Sequence, residues 1–141
     1  MGTSYLEIYD RFLRKITDFN LPQLDDSTLQ MVCKGYMDNA IPKFRKCQSD
    51  LSKRDDLILC FEEELLEVEK EILACMMVCE WVEPQVNSTL NLSQMVGWKE
   101  DRFFAQSNQI NAVIAVGDRA EKRARDLRRD WSYQNSSYLN S

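Results

Sequence analysis

The stretch Ser107 to Trp131, SNQINAVIAVGDRAEKRARDLRRDW, decides the fold. Ile110, Val113, Ile114, Gly117, Ala120, Ala124, Leu127 and Trp131 recur at three- and four-residue steps, so they share one face of a 3.6-residue-per-turn helix that can pack. Arginines crowd the polar side. At about 1.5 Å per residue this helix is roughly 37 Å long, more than a domain of this size needs to cover its own core. It runs into Ser132 to Ser141, where Tyr133, Tyr138 and Leu139 stand among Ser, Asn and Gln. A long helix that ends in a sticky, non-repetitive tail predicts an arm that reaches a neighbour.

Upstream of that helix the pattern stays helical. Ser4 can cap a first helix with the stripe Leu6, Tyr9, Phe12, Leu13 and Ile16, and Asn20-Leu21-Pro22 ends it. Asp25 or Asp26 starts a second, with Leu29, Val32, Cys33, Tyr36, Met37, Ala40, Ile41 and Phe44 on one face. Pro42 lies inside that pattern and predicts a kink or break between Asn39 and Pro42. Leu57 to Phe61 is a short apolar run that fits a strand, an extended loop or a helix extension. A third helix is predicted from Leu66 to Val82, stopped by Glu83-Pro84, with Glu67, Glu69 and Glu71 suiting its positive end. Val86 to Gly97 reads as a connection and Trp98 to Gln106 as a short helix or a lead-in. The expectation is an all-α fold: a small helical bundle over residues 1–131, with a long C-terminal helix and an extended C-terminal tail over 132–141.

Composition narrows the function classes. The 141 residues are 44% hydrophobic and 29% charged, the make-up of one soluble domain, and the net charge of −5 disfavours general nucleic-acid coating. Five cysteines, Cys33, Cys47, Cys60, Cys75 and Cys79, sit mostly in apolar patterns, and without a signal-like start they predict reduced thiols in a cytosol. Cys75 and Cys79 share a helical face, yet the chain has no histidine and no second close cysteine pair, so no metal site is expected. No membrane span is expected either.

Catalytic arrangements are equally scarce. Without histidine there is no Cys–His or Ser–His–Asp set, and four isolated glycines build no phosphate loop. The run Glu62-Glu63-Glu64 reads as a solvated acidic face. Neither enzymatic activity nor a cofactor is expected. Arg119, Lys122, Arg123, Arg125, Arg128 and Arg129 alternate with Asp118, Glu121, Asp126 and Asp130. This face is open to three readings: solvated i, i+4 pairs, pairing with the acidic block Glu62 to Glu71 of an adjacent copy, or contact with DNA passing nearby.

Several stretches resemble small phage and prophage head–tail connector (head completion, or adaptor) proteins of siphophages from low-GC Gram-positive hosts. They are Tyr5-Leu6 to Ile16-Thr17-Asp18, Gly35-Tyr36 with Ala40-Ile41-Pro42-Lys43-Phe44, and Asp50 to Asp56. Glu69 to Ala74 with Met77, Glu80 to Val86, and Arg102 to Asn108 complete the pattern. The resemblance implies a helical subunit of a homo-oligomeric ring of twelve, beneath the portal protein in the virion neck and assembled in the host cytoplasm. Such a ring extends the DNA channel towards the next neck, stopper or tail protein, and DNA passes through its lumen without sequence-specific binding. It further implies portal contact through the C-terminal segment, here Arg128 to Ser141, and the candidates for that contact are Arg125, Arg128, Arg129, Trp131, Tyr133, Tyr138 and Leu139. Glu63, Glu64 and Glu67 with Arg119 and Arg123 are the candidates for contact between subunits. The alternative is a cytosolic helical scaffolding or regulatory protein that binds a partner through its last helix.

Overall fold

Ser4 opens the first helix, α1 (Tyr5–Lys15): its hydroxyl accepts the Leu6 N–H at 3.2 Å and satisfies one of the amides that a helix start leaves unpaired. The computed structural model describes the backbone of residues 2–16, 25–44, 49–96 and 100–136, and the side chains in those ranges except at 88–96, 100–109 and 131–136. Helix α1 buries Tyr5, Ile8, Tyr9 and Phe12, with Ile16 just beyond it. Leu6, expected on the buried stripe, is instead 47% exposed. The inward face is set by Tyr5, whose ring meets Phe61 edge-on at 5.0 Å while its hydroxyl donates to Asp56 at 2.7 Å.

Asp25 caps α2 (Asp26–Ala40) by accepting the Thr28 N–H at 3.2 Å. Cys33, Met37 and Ala40 point into the core, and Leu29, Tyr36 and Ile41 pack against it half-buried. The expected break occurs. Pro42 has no N–H to give the turn before it, so the α-helix stops at Ala40 and tightens into a single 3-10 turn, Ile41–Lys43.

The undecided run Leu57 to Phe61 belongs to a small hairpin. Strand β1 (Arg54–Asp55) pairs antiparallel with β2 (Cys60–Phe61), Arg54 opposite Phe61 and Asp55 opposite Cys60. The amino-terminal segment clips this hairpin to α1. Phe61 N–H donates to the Thr3 carbonyl at 2.8 Å, Tyr5 N–H to the Leu59 carbonyl at 2.9 Å, and Leu65 N–H to the buried Thr3 hydroxyl at 2.8 Å. Gly2 lies so close that a Cβ there would sit 1.6 Å from the Phe61 carbonyl oxygen.

Helix α3 (Glu67–Val96) is the centre of the bundle. Its third residue, Glu69, is buried, and its carboxylate reaches back to accept the Leu66 N–H at 2.9 Å and both the N–H and hydroxyl of Ser49. Ile72 to Val78 are buried nearly all round because α1, α2 and the last helix, α4 (Glu100–Ser136), all pack on this segment. Two expectations are corrected here. Helix α3 does not stop at Glu83-Pro84 but continues through Pro84 to Val96, and Val86 to Val96 is therefore helix, not connection. Packing against α4, close beside Pro84 where Val82 meets Gly117, outweighs the one hydrogen bond that Pro84 removes. Helix α4 in turn begins seven residues before Ser107 and ends five after Trp131, so the first half of the expected extended tail is helical. Residues 137–141 lie outside the described residues. The fold is all-α, a small helical bundle with a long C-terminal helix.

Candidate interaction surface

Helices α3 and α4 form an antiparallel pair whose register is set by two contacts. Arg123 Nε donates to Glu71 Oε2 at 2.7 Å, and Gly117, buried on α4, faces Val82 so closely that a Cβ would meet its methyl at 3.0 Å. Ala120 and Ala124 are buried on the same face. Small residues at these positions let the two backbones approach.

That register has a consequence for the end of α4. Glu67, the first residue of α3, falls opposite the level of Leu127 to Arg129, and α4 continues to Ser136, an overhang of about 10 to 13 Å past the start of its partner helix at 1.5 Å per residue. Of the candidate portal residues, Trp131 and Tyr133 lie on this overhang, Arg128 and Arg129 at its start and Arg125 a turn before it. Arg125 and Arg129 are exposed and Arg128 is half-buried; Arg129 lies 3.7 Å from Asp126 and 3.6 Å from Asp130. The backbone of Trp131 and Tyr133 is helical, while Tyr138 and Leu139 fall outside the described residues.

A charged cluster lies beside the start of α3. Glu71, 16% exposed, is met by Lys15 Nζ at 2.6 Å, Arg123 Nε at 2.7 Å and Arg11 Nη1 at 3.6 Å. Burial pushes its carboxyl pKa up, but the hydrogen bonds from Lys15 and Arg123 outweigh that and hold it below the ordinary value. Glu67 pairs with Lys70 at 3.1 Å and also with Arg11, and it too is held low, first by the Lys70 hydrogen bond. Thus three of the candidates for contact between subunits, Glu63, Glu67 and Arg123, have partners within one chain. Glu63 accepts the Asp50 N–H at 2.8 Å, and Glu64 and Arg119 are exposed.

An open groove of about 510 Å³ adjoins this cluster, lined by Glu7, Asp10, Arg11, Arg14, Lys15 and Glu71. Cations and carboxylates alternate around it, as in Arg14 beside Asp10 at 3.9 Å, so it works as an ion-pair lattice that ties α1 to α3. No group of three or more metal-ligating side chains occurs among the described residues. Burial raises the Cys79 thiol to about 11 and the Cys33 thiol to about 11, which keeps both protonated near neutral pH. Among the described residues no helix is long and apolar enough to cross a membrane.

Sequence reasoning missed one surface. Leu57 is 94% exposed and Ile58 68% exposed at the turn of the β1–β2 hairpin. The available signal was the pair Asp55-Asp56, whose turn chemistry ahead of an apolar run marks a hairpin and leaves the next two residues at its tip. Comparison with known protein families, with curated proteins and with solved structures found no match.

Proposed function

We propose that the chain is a structural virion protein, a head–tail adaptor that forms a ring beneath the portal and extends the DNA channel to the tail. The observation that carries this reading is the overhang of α4. A helix that outruns its own packing partner and carries Arg125, Arg128, Arg129, Trp131 and Tyr133 into its last turns has binding groups to spend on another chain. The portal is that chain, engaged through these residues with Tyr138 and Leu139. Self-assembly uses Glu63, Glu64 and Arg119, with Glu67 and Arg123 contributing from the edge of the charged cluster. The chain acts by assembly, without catalysis or a cofactor. The surplus of acidic residues suits a conduit for DNA, since a lumen that held phosphate tightly would slow its passage.

The test is deletion of residues 132–141 in a phage that encodes the chain. The truncated protein keeps its helical circular dichroism but leaves portal-bearing heads without a neck and without tails. Heads that still join tails after the deletion overturn the arm. A dimer indifferent to portal in negative-stain images would favour the scaffolding or regulatory alternative.

A further inference from the structure

Pro84 and Gly117 are far apart in sequence, yet they weaken α3 and α4 at the same level of the pair. Pro84 has no amide to give the Glu80 carbonyl, so the turn from Glu80 to Pro84 lacks its closing hydrogen bond. Val82 stands in the middle of that turn. Its methyl fills the notch at Gly117, 3.0 Å from where a Cβ would sit. Glycine resists helix bending least, because no side chain braces it against the turns on either side. A third group acts here: the Cys79 thiol donates to the Gly117 carbonyl at 3.9 Å, a side-chain contact on an acceptor of the α4 ladder.

The enclosed part of the bundle ends at this level. Ile72 to Val78 are buried nearly all round, whereas Glu83, Pro84, Gln85 and Asn87 are exposed and only Val86 among them is half-buried. On α4, Asn111, Ala112 and Ile114 are exposed around buried Val113. Where side chains are described beyond Val82, each helix therefore packs one face and leaves the others in water. Pro84 itself is exposed, so it removes a hydrogen bond without adding burial, and packing does not account for it. Two paired helices bend only where both give, since a weak turn in one alone is splinted by the other. We propose that the pair is hinged here: Pro84 to Val96 and Glu100 to Val116 form one arm that swings as a unit on Val82 and Gly117, while the bundle below stays rigid. The arm stretch of α3 is about 18 to 20 Å long and lies at the opposite end of the pair from the α4 overhang, so one end can follow a partner while the other is held. The hinge is a property of one subunit and holds whether or not the chain is an adaptor.

Residual dipolar couplings of the backbone amides in the full chain, which average over hinge motions up to milliseconds, test it. In wild type, residues 85–96 and 100–115 fit one alignment tensor, weaker by roughly a third or more than the tensor of α1, α2 and residues 67–80. Pro84→Ala returns the missing amide to the ladder. It keeps the helical circular dichroism and at least halves the difference between arm and bundle, to roughly a sixth or less. A wild-type arm aligned as strongly as the bundle overturns the hinge, whatever its mean direction. So do arm helices that need two separate tensors, which would show them moving independently, and arm couplings that fit no helix, which would show local unfolding. A Pro84→Ala arm aligned no more strongly than that of wild type overturns it equally.

Discussion

Arg123 on α4 and Glu71 on α3, 52 residues apart in sequence, are joined by a 2.7 Å hydrogen bond between Nε and Oε2. Lys15 of α1 holds the same carboxylate at 2.6 Å, so one side chain fastens three helices. The basic face of the last helix is therefore partly spoken for within its own subunit, and only its exposed remainder and its overhang are free to meet other chains.

Glu71→Gln keeps the shape of this junction and removes its charge, leaving Lys15, Arg11 and Arg123 crowded together. Stability should drop by about 1 to 2 kcal/mol at neutral pH, read as a lower urea midpoint. Because the folded carboxyl is held below its ordinary value of 4.5, its contribution is present above that pH and is lost as pH falls through the folded value. The wild-type midpoint should thus fall more steeply than that of the variant in acid; parallel curves would refute the assignment.

Pro84 sits inside α3 with its side chain exposed, so replacing it loses no packing. Pro84→Ala restores an amide to the ladder and should raise stability by about 1 to 3 kcal/mol in urea or thermal unfolding. No change at all would mean that the helix does not run through this position.

At Gly2 the obstacle is backbone, not a side chain that can swing away. Gly2→Ala must displace the segment that pairs Thr3 with Phe61, and should cost about 1 to 3 kcal/mol. Faster amide exchange at Phe61 and Leu65 would locate the damage, and wild-type exchange there would contradict it.

Leu73 is fully buried where α3 is enclosed by the other helices. Leu73→Ala should destabilise by about 2 to 5 kcal/mol, the range for a buried cavity, while Leu57→Ala should change stability by less than about 0.5 kcal/mol because the side chain is in water already.

In alkali the buried thiols report on the core. Cys33 and Cys79 ionise near 11 in the folded chain against an ordinary 9.0, so the stability linked to them is complete below 9.0 and declines as pH rises towards 11. Burial of Tyr5 and Tyr9 raises their hydroxyls as well and acts in the same direction. In a Cys47→Ser, Cys60→Ser variant, thiolate absorbance of the folded protein should stay low at pH 9 and appear on unfolding; early appearance in the folded state would show the remaining thiols to be accessible.

Much of the bundle was legible because its signals are local. Ser4 caps the helix it was expected to cap, Asp25, one of the two residues expected to start α2, caps that one, and Pro42 ends α2 where its missing amide requires. Pro84 carries the same local signal and was misread, since a stop there depends on the absence of a supporting neighbour and α4 supplies one. The hairpin escaped detection because two-residue strands are too short to show alternation. For the interaction surface, residue types pointed to the end of α4, but nothing in the order of residues shows that Glu67 lies opposite Leu127 to Arg129.

Residue spacing and side-chain chemistry within a few turns were enough for the helical class, the caps and most of each apolar face, though not for Leu6 and Ile114, which are exposed. Only the tertiary structure decided which charges are consumed inside the subunit, where α4 outruns α3, and that Leu57 and Ile58 stand in water. Those properties belong to distances between segments far apart in the chain, and they arise only when the α3–α4 register is set by Arg123 on Glu71 and by Gly117 against Val82.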